Sequence, residues 1–260
     1  MMQVIYLAFV LACSGSLHFS PQEIPTQQVE TIPVLPTTNA EVTRIYFIHN
    51  AESEYSAKDQ NGTKFTSGRS PEISLSERGK SQAERLGDLL SSRIAEAVVF
   101  LPPAERAKET ATPFISDAIA LGAYYEGLFE VGMGAWEGKP KDQSYKNEYQ
   151  KWKGLSAVEK YKTPKVTLGE SYNDAALRAM QDLEAILQSN SEKTILIVSG
   201  ENLLNALAIQ WMNPLLSKEP GSDLPMLPME KGDFFLVEIP RGQPIEQAKV
   251  KMLFHIGSFQ

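Results

Sequence analysis

Residues 45–53 read Ile-Tyr-Phe-Ile-His-Asn-Ala-Glu-Ser, an apolar run that ends in His49 and leads outward through small or polar residues. A strand delivers a reactive side chain to the loop at its C-terminal edge in this way. Two other apolar runs end similarly. Residues 97–101 lead through Pro102 and Pro103 to Arg106, and residues 194–198 lead to Ser199, Gly200, Glu201 and Asn202. Histidine is scarce: the chain has three, His18, His49 and His255, so no second imidazole lies near His49 in sequence. His255, at the end of the last apolar run, reads as a satisfied edge-strand residue. A metal site made from His49, Glu130 and Glu201 would lack any ligand-spacing signature, and neither a metal nor another cofactor is expected.

The elements that must position these residues alternate. Residues 43–48 read as a strand. Residues 76–92 read as a helix with Ala83, Leu86, Leu89 and Leu90 on one face, and Ser74 and Glu77 are spaced as a capping box. Residues 97–101 form a second strand, followed by a helix starting near Pro103, whose fixed φ suits a first turn. Residues 171–188 repeat the helical pattern with Ala176, Met180, Leu183 and Leu187. Residues 194–198 form a β-branched buried strand that feeds a helix at 202–210, and residues 233–239 and 249–255 read as closing strands. This order predicts an α/β fold: a three-layer α/β/α sandwich around a mostly parallel sheet. The sites of such sheets form at the C-terminal strand ends, where His49, Arg106 and Gly200 all fall.

With 260 residues, 42% hydrophobic and 22% charged, the chain can bury one substantial core. Its net charge of -7 and the absence of a long Lys/Arg run argue against a nucleic-acid partner. Any affinity for phosphate must come from a local site working against the overall field. Residues 1–19 read as a signal peptide or lipoprotein signal. Their apolar run, 4–12, is too short to span a bilayer, and Val10-Leu11-Ala12-Cys13 resembles a bacterial lipoprotein processing site with Cys13, the only cysteine, at the acylated position. Residues 20–40, with Pro21, Pro25, Pro33 and Pro36, read as a solvated tether, and residues 41–260 as the folded domain. The expectation is an exported protein, either a membrane-attached lipoprotein or a periplasmic or extracellular one.

The segment around His49 resembles the Arg-His-Gly-Glu-Ser/Thr signature of the histidine phosphatase superfamily, the phosphoglycerate-mutase-like proteins, whose histidine is transiently phosphorylated. Residues 100–111, Phe-Leu-Pro-Pro-Ala-Glu-Arg-Ala-Lys-Glu-Thr-Ala, resemble the family element in which an Arg grips phosphate; a guanidinium suits that task because its fork donates two parallel hydrogen bonds. Residues 128–138, Leu-Phe-Glu-Val-Gly-Met-Gly-Ala-Trp-Glu-Gly, resemble the element that carries the family's proton donor, here Glu130. A carboxyl does that work near neutral pH only when burial or a neighbouring negative charge raises its pKa. Leu75-Ser76-Glu77-Arg78-Gly79 and Gly169-Glu170-Ser171 are further matches, so the resemblance spans residues 41–260. It implies His49 as nucleophile, Glu130 as proton donor and Arg106 as phosphate ligand.

The departures fall inside the same signatures. Ile48 stands at the signature Arg and Asn50 at its Gly; Gly200 stands at the second His and Glu201 at the Gly that follows. Each preorganised donor removed from such a site costs about 10²–10³ in rate, and donors that act as a unit do not add simply. Glu201 has two open placements, either in the anion site at the start of the following helix or pointing away from it. Two functions fit this pattern. One is a catalytically impaired pseudophosphatase that binds a phosphorylated or anionic ligand or a partner. The other is a weak phosphomonoesterase acting through phospho-His49, with Lys58, Lys64 or Arg69 replacing the missing cation.

Overall fold

Strand β1 (Val42–His49) is buried on both faces from Ile45 onward, so its sequence is continuously apolar there instead of alternating. The computed structural model describes residues 35–57, 61–94, 96–212 and 215–255. Around β1 are arranged α1 (Glu77–Ser91), β2 (Ala97–Leu101), α2 (Glu105–Ala111), β3 (Ile119–Tyr124), α3 (Gln143–Lys153), α4 (Ala157–Lys162), α5 (Tyr172–Asn190), β4 (Thr194–Ser199), α6 (Glu201–Met212), β5 (Phe234–Pro240) and β6 (Lys249–Phe254). The six strands form one sheet in the order β3-β2-β4-β1-β5-β6. Strands β3, β2, β4 and β1 are parallel, whereas β5 and β6 close the sheet antiparallel.

The two-residue period of β1 sorts its side chains between the layers. Ile45 and Phe47 join the core formed with α5 and α6, while Tyr46 and Ile48 join the core formed with α1 and α2. The α/β/α sandwich with a mostly parallel sheet is therefore present as expected, with helices on both faces.

Several boundaries shift. Helix α1 is capped by Ser76, whose hydroxyl accepts from the Gly79 N–H at 3.1 Å, not by Ser74, whose carbonyl instead accepts from Glu54. Helix α2 begins at Glu105 after an extended Ala104, so Pro103 lies in the approach to the helix and not in its first turn. Strand β3 and helices α3 and α4 carry no clear periodicity. Strand β3 is an edge strand with mostly exposed side chains, and α3 buries only Tyr145 and Trp152. The folded part also begins before residue 41. Leu35 is buried, the Thr38 N–H donates to Thr194 Oγ1, and the Tyr46 hydroxyl donates to the Pro36 carbonyl, so these residues of the expected tether pack on the domain. The expected signal segment, the expected tether up to residue 34, and His18, Cys13 and Lys58 lie outside the described residues. Among the described residues, no helix is long and apolar enough to cross a membrane.

Candidate functional site

His49 ends β1 in register with Ser199, the last residue of parallel β4, so the sheet brings the His49 segment and the Ser199–Asn202 segment side by side. Antiparallel β5 places the segment that precedes it, residues 230–233, at the same edge. The His49 N–H donates to the Asp233 carbonyl, and the His49 carbonyl accepts from Gly232. The imidazole is only 2% exposed. Its Nδ1 lies 3.0 Å from the Glu230 carbonyl, and because a carbonyl only accepts, Nδ1 carries the proton. The lone pair is then on Nε2, where it accepts from the Lys231 ammonium at 2.8 Å. Burial, reinforced by Lys231, holds the His49 pKa well below its usual 6.5 and keeps the ring neutral.

Residues 230–233 are themselves braced. The Glu230 N–H donates to Asp233 Oδ2 at 2.8 Å, and His255 Nδ1 meets that same oxygen at 2.6 Å. His255 is thus a satisfied residue at the sheet's end, with its pKa raised chiefly by the hydrogen bond to Asp233.

Glu130, on the loop after a 3-10 turn at Glu126–Leu128, reaches across to the start of α6. Its carboxylate accepts from the backbone N–H groups of Val131 (2.7 Å), Leu203 (2.9 Å) and Asn202 (3.1 Å), and from the Asn202 side chain (3.3 Å). A helix N-terminus is an anion site, and here the chain's own carboxylate occupies it. Gly200 makes this possible: a Cβ at that position would lie 2.2 Å from Glu130 Oε2. Glu130, not Glu201, therefore takes the position for which two placements of Glu201 were open. Glu201 is half-buried and faces the cavity, its pKa raised first by burial and then by Glu130.

The other signature residues are also occupied. Arg106 is 4% exposed and spends its fork on the carbonyls of Ser70 (Nη1, 2.6 Å) and Gly68 (Nη2, 2.7 Å), clamping the loop that precedes α1. Ile48 is fully buried in the core with α1 and α2, on the face opposite the Phe47 side chain. Asn50 turns back on the chain, with its amide donating to the Ala51 carbonyl and its N–H to Ser199.

The residues missing from the sequence reading are Lys141, Lys165 and Lys231. A cavity of about 470 Å³ is lined by Arg106, Lys64, Lys141, Lys165 and Lys231, facing the two carboxylates of Glu130 and Glu201. Lys231 and Glu201 also border a smaller cleft of about 370 Å³ whose wall includes His49. Burial lowers the pKa of both Lys165 and Lys231 to about 8. Lys165 donates to Asn202 Oδ1 at 2.6 Å and lies 4.7 Å over the Tyr172 ring and 5.3 Å over Trp152. Asn202 joins this group to Glu130, because its Oδ1 also accepts from the Tyr172 hydroxyl at 2.8 Å.

Of the three cations expected to replace the lost Arg, Lys64 lines the cavity. Arg69 instead lies over Phe129 and borders another cleft with Glu137 and Glu170. The cation beside His49 is Lys231. One signal for it was available: a closing strand antiparallel to β1 must begin next to the end of β1. Among the described residues, no group of three His, Cys, Asp or Glu side chains is placed to hold a metal.

Residues 28–227 match the model of the Histidine phosphatase superfamily (branch 1). In structure the chain is similar to a putative alpha-ribazole-5'-P phosphatase from Escherichia coli, with 23% identity, a TM-score of 0.61, and coverage of 84% of this chain and 99% of that one. It is also similar to a mycobacterial glucosyl-3-phosphoglycerate phosphatase, with 18% identity, a TM-score of 0.64, and coverage of 84% and 100%. That mycobacterial protein also has a complex with inorganic phosphate, at 16% identity, a TM-score of 0.58, and coverage of 81% and 95%. No curated protein matches the chain in sequence.

Proposed function

The chain belongs to the histidine phosphatase superfamily, branch 1, and from that premise we propose that it is a catalytically impaired member that binds a phosphorylated or anionic ligand. The observation that carries this reading is the Glu130 carboxylate seated on the N-terminus of α6. A carboxylate held there by three backbone N–H groups is spent as an internal anion and is turned away from proton donation to a leaving group. Two facts point the same way. The His49 lone pair is engaged by an ammonium, and no imidazole stands at Gly200. The ligand class follows from charge, since five cationic side chains surround two carboxylates in a protein whose net charge is -7. We further propose that the protein is exported and anchored through Cys13, on the sequence of its first 19 residues.

The test is hydrolysis of p-nitrophenyl phosphate, with calorimetric titration of inorganic phosphate into the same preparation. Turnover should be at least about 10³-fold below that of intact relatives, as two missing donors require, while phosphate should bind. Turnover equal to the relatives' and abolished by His49→Ala would overturn the reading.

One observation favours a second reading. Lys231 supplies a cation 2.8 Å from Nε2, the imidazole nitrogen whose lone pair is available for attack. If the ammonium moves onto an incoming phosphate, it frees that lone pair, and weak phosphomonoesterase activity results. Slow turnover that is lost in both His49→Ala and Lys231→Met, with folding intact, would support it.

A further inference from the structure

Lys231 is the cationic side chain that borders both the large cavity and the cleft beside His49, where Glu201 lies with it. Its backbone is fixed by the braced turn at residues 230–233, and its Nζ is held by His49 Nε2 at 2.8 Å. Lys165, the other half-buried lysine, is packed over two aromatic rings and committed to Asn202. The site thus contains one amine held by an imidazole nitrogen at the mouth between the two spaces, and separate cations, Arg106, Lys141 and Lys165, along the cavity wall.

We propose that the Lys231 amine captures the carbonyl carbon of a small anionic aldehyde as an imine. This rests on the reading that the cavity accepts anions. The ammonium first loses a proton to solvent. The Nζ lone pair then forms the C–N bond while the carbonyl π pair moves onto oxygen. That oxygen leaves as water, carrying the two remaining Nζ hydrogens and leaving a C=N bond; no oxidant or reductant is consumed. His49 Nε2 holds one N–H and so steers the lone pair away from the imidazole. Because burial lowers the Lys231 pKa to about 8, about a tenth of the amine is neutral at pH 7, far more than for an ordinary lysine.

The experiment incubates the full chain with pyridoxal 5'-phosphate, reduces with borohydride, and maps the adduct by peptide mass spectrometry. Pyridoxal, which lacks the phosphate, and competition by inorganic phosphate serve as comparisons. The expected result is an adduct concentrated on Lys231, formed about tenfold or more faster with the phosphorylated aldehyde and slowed by phosphate. Lys231→Arg, which keeps the charge and removes the amine, should lose the adduct while melting normally. Mapping in the unaltered protein decides the matter even if that variant fails to fold. An adduct on Lys165, or one spread over exposed lysines such as Lys80 and Lys108, overturns the proposal. The two readings fail differently: calorimetric phosphate binding without a Lys231 adduct removes the imine and leaves anion binding standing. Equal labelling by both aldehydes, with no competition by phosphate, removes anion binding and with it the proposed class of ligand.

Discussion

Gly200→Ala is the smallest change that should empty the internal anion site. The added Cβ would stand 2.2 Å from Glu130 Oε2, 2.5 Å from Cδ and 2.9 Å from Cγ, all atoms at the mobile end of a side chain, so the carboxylate moves and the backbone stays. The hydrogen bonds lost are those from the N–H groups of Asn202 and Leu203 and from the Asn202 amide. Loss of a capping acceptor costs about 0.5–2 kcal/mol and loss of its charge at a helix N-terminus about 0.3–1 kcal/mol, against about 0.4–1 kcal/mol regained by stiffening the unfolded chain. At the midpoints of these ranges the net destabilisation is about 1 kcal/mol, or a melting temperature about 2–4 °C lower for a domain of this size.

The vacated N–H groups should then accept a ligand. Phosphate at ten times its Kd stabilises by about 1.4 kcal/mol, enough to offset the deficit. Thermal melting of wild type and variant, with and without phosphate, measures both effects. A variant that melts with the wild type, or that gains no more from phosphate than the wild type does, would refute the placement of Glu130.

Ile48→Arg, which restores the signature residue, should reduce stability by about 3–5 kcal/mol in urea unfolding, because it puts an unpaired guanidinium into the core with α1 and α2. An unchanged midpoint would show that the side chain reaches the cavity. Between pH 6.5 and the raised pKa of His255 the folded state binds more protons than the unfolded one, so this histidine's contribution is complete below pH 6.5 and fades as pH rises. Wild type should lose its stability margin over His255→Gln across that window in melts taken at successive pH values. His49 acts with the opposite sign: the unfolded chain takes up its proton below about pH 6.5 while the buried ring does not, so acidification weakens the fold. Membrane fractionation tests the proposed anchor, since Cys13→Ser should release the protein or block its processing. Soluble wild type with a mature N-terminus beyond Cys13 would remove the lipoprotein reading.

The sheet was legible because strands buried on both faces write themselves as unbroken apolar runs, as 45–48 and 194–198 do. The edge strand β3 and the polar helices α3 and α4 were not, since few of their side chains enter a core and their caps, Asp142 and Ser156, resemble ordinary loop residues. In the site, residue types were readable and engagements were not. Arg106 and Glu130 line one cavity, but their partners are backbone groups from residues 68–70 and 202–203, distant in sequence. Lys231 escaped notice because it belongs to no signature, and only the antiparallel turn of β5 carries it to His49.

The brace from His255 through Asp233 to Glu230 also sets an order of assembly. His49 belongs to the first strand of the sheet, yet its two ring nitrogens are held by Glu230 and Lys231, in a turn pinned by the residue that follows the last strand. During folding, the turn that holds the imidazole therefore gains its brace only when β6 has paired at the sheet's edge. Such late, edge-dependent contacts belong to the units that reopen most readily in the native state. Transient fraying of β6 would release Lys231 from His49 while the parallel strands stay closed, and hydrogen exchange would record it as early opening of residues 230–233 and 249–254.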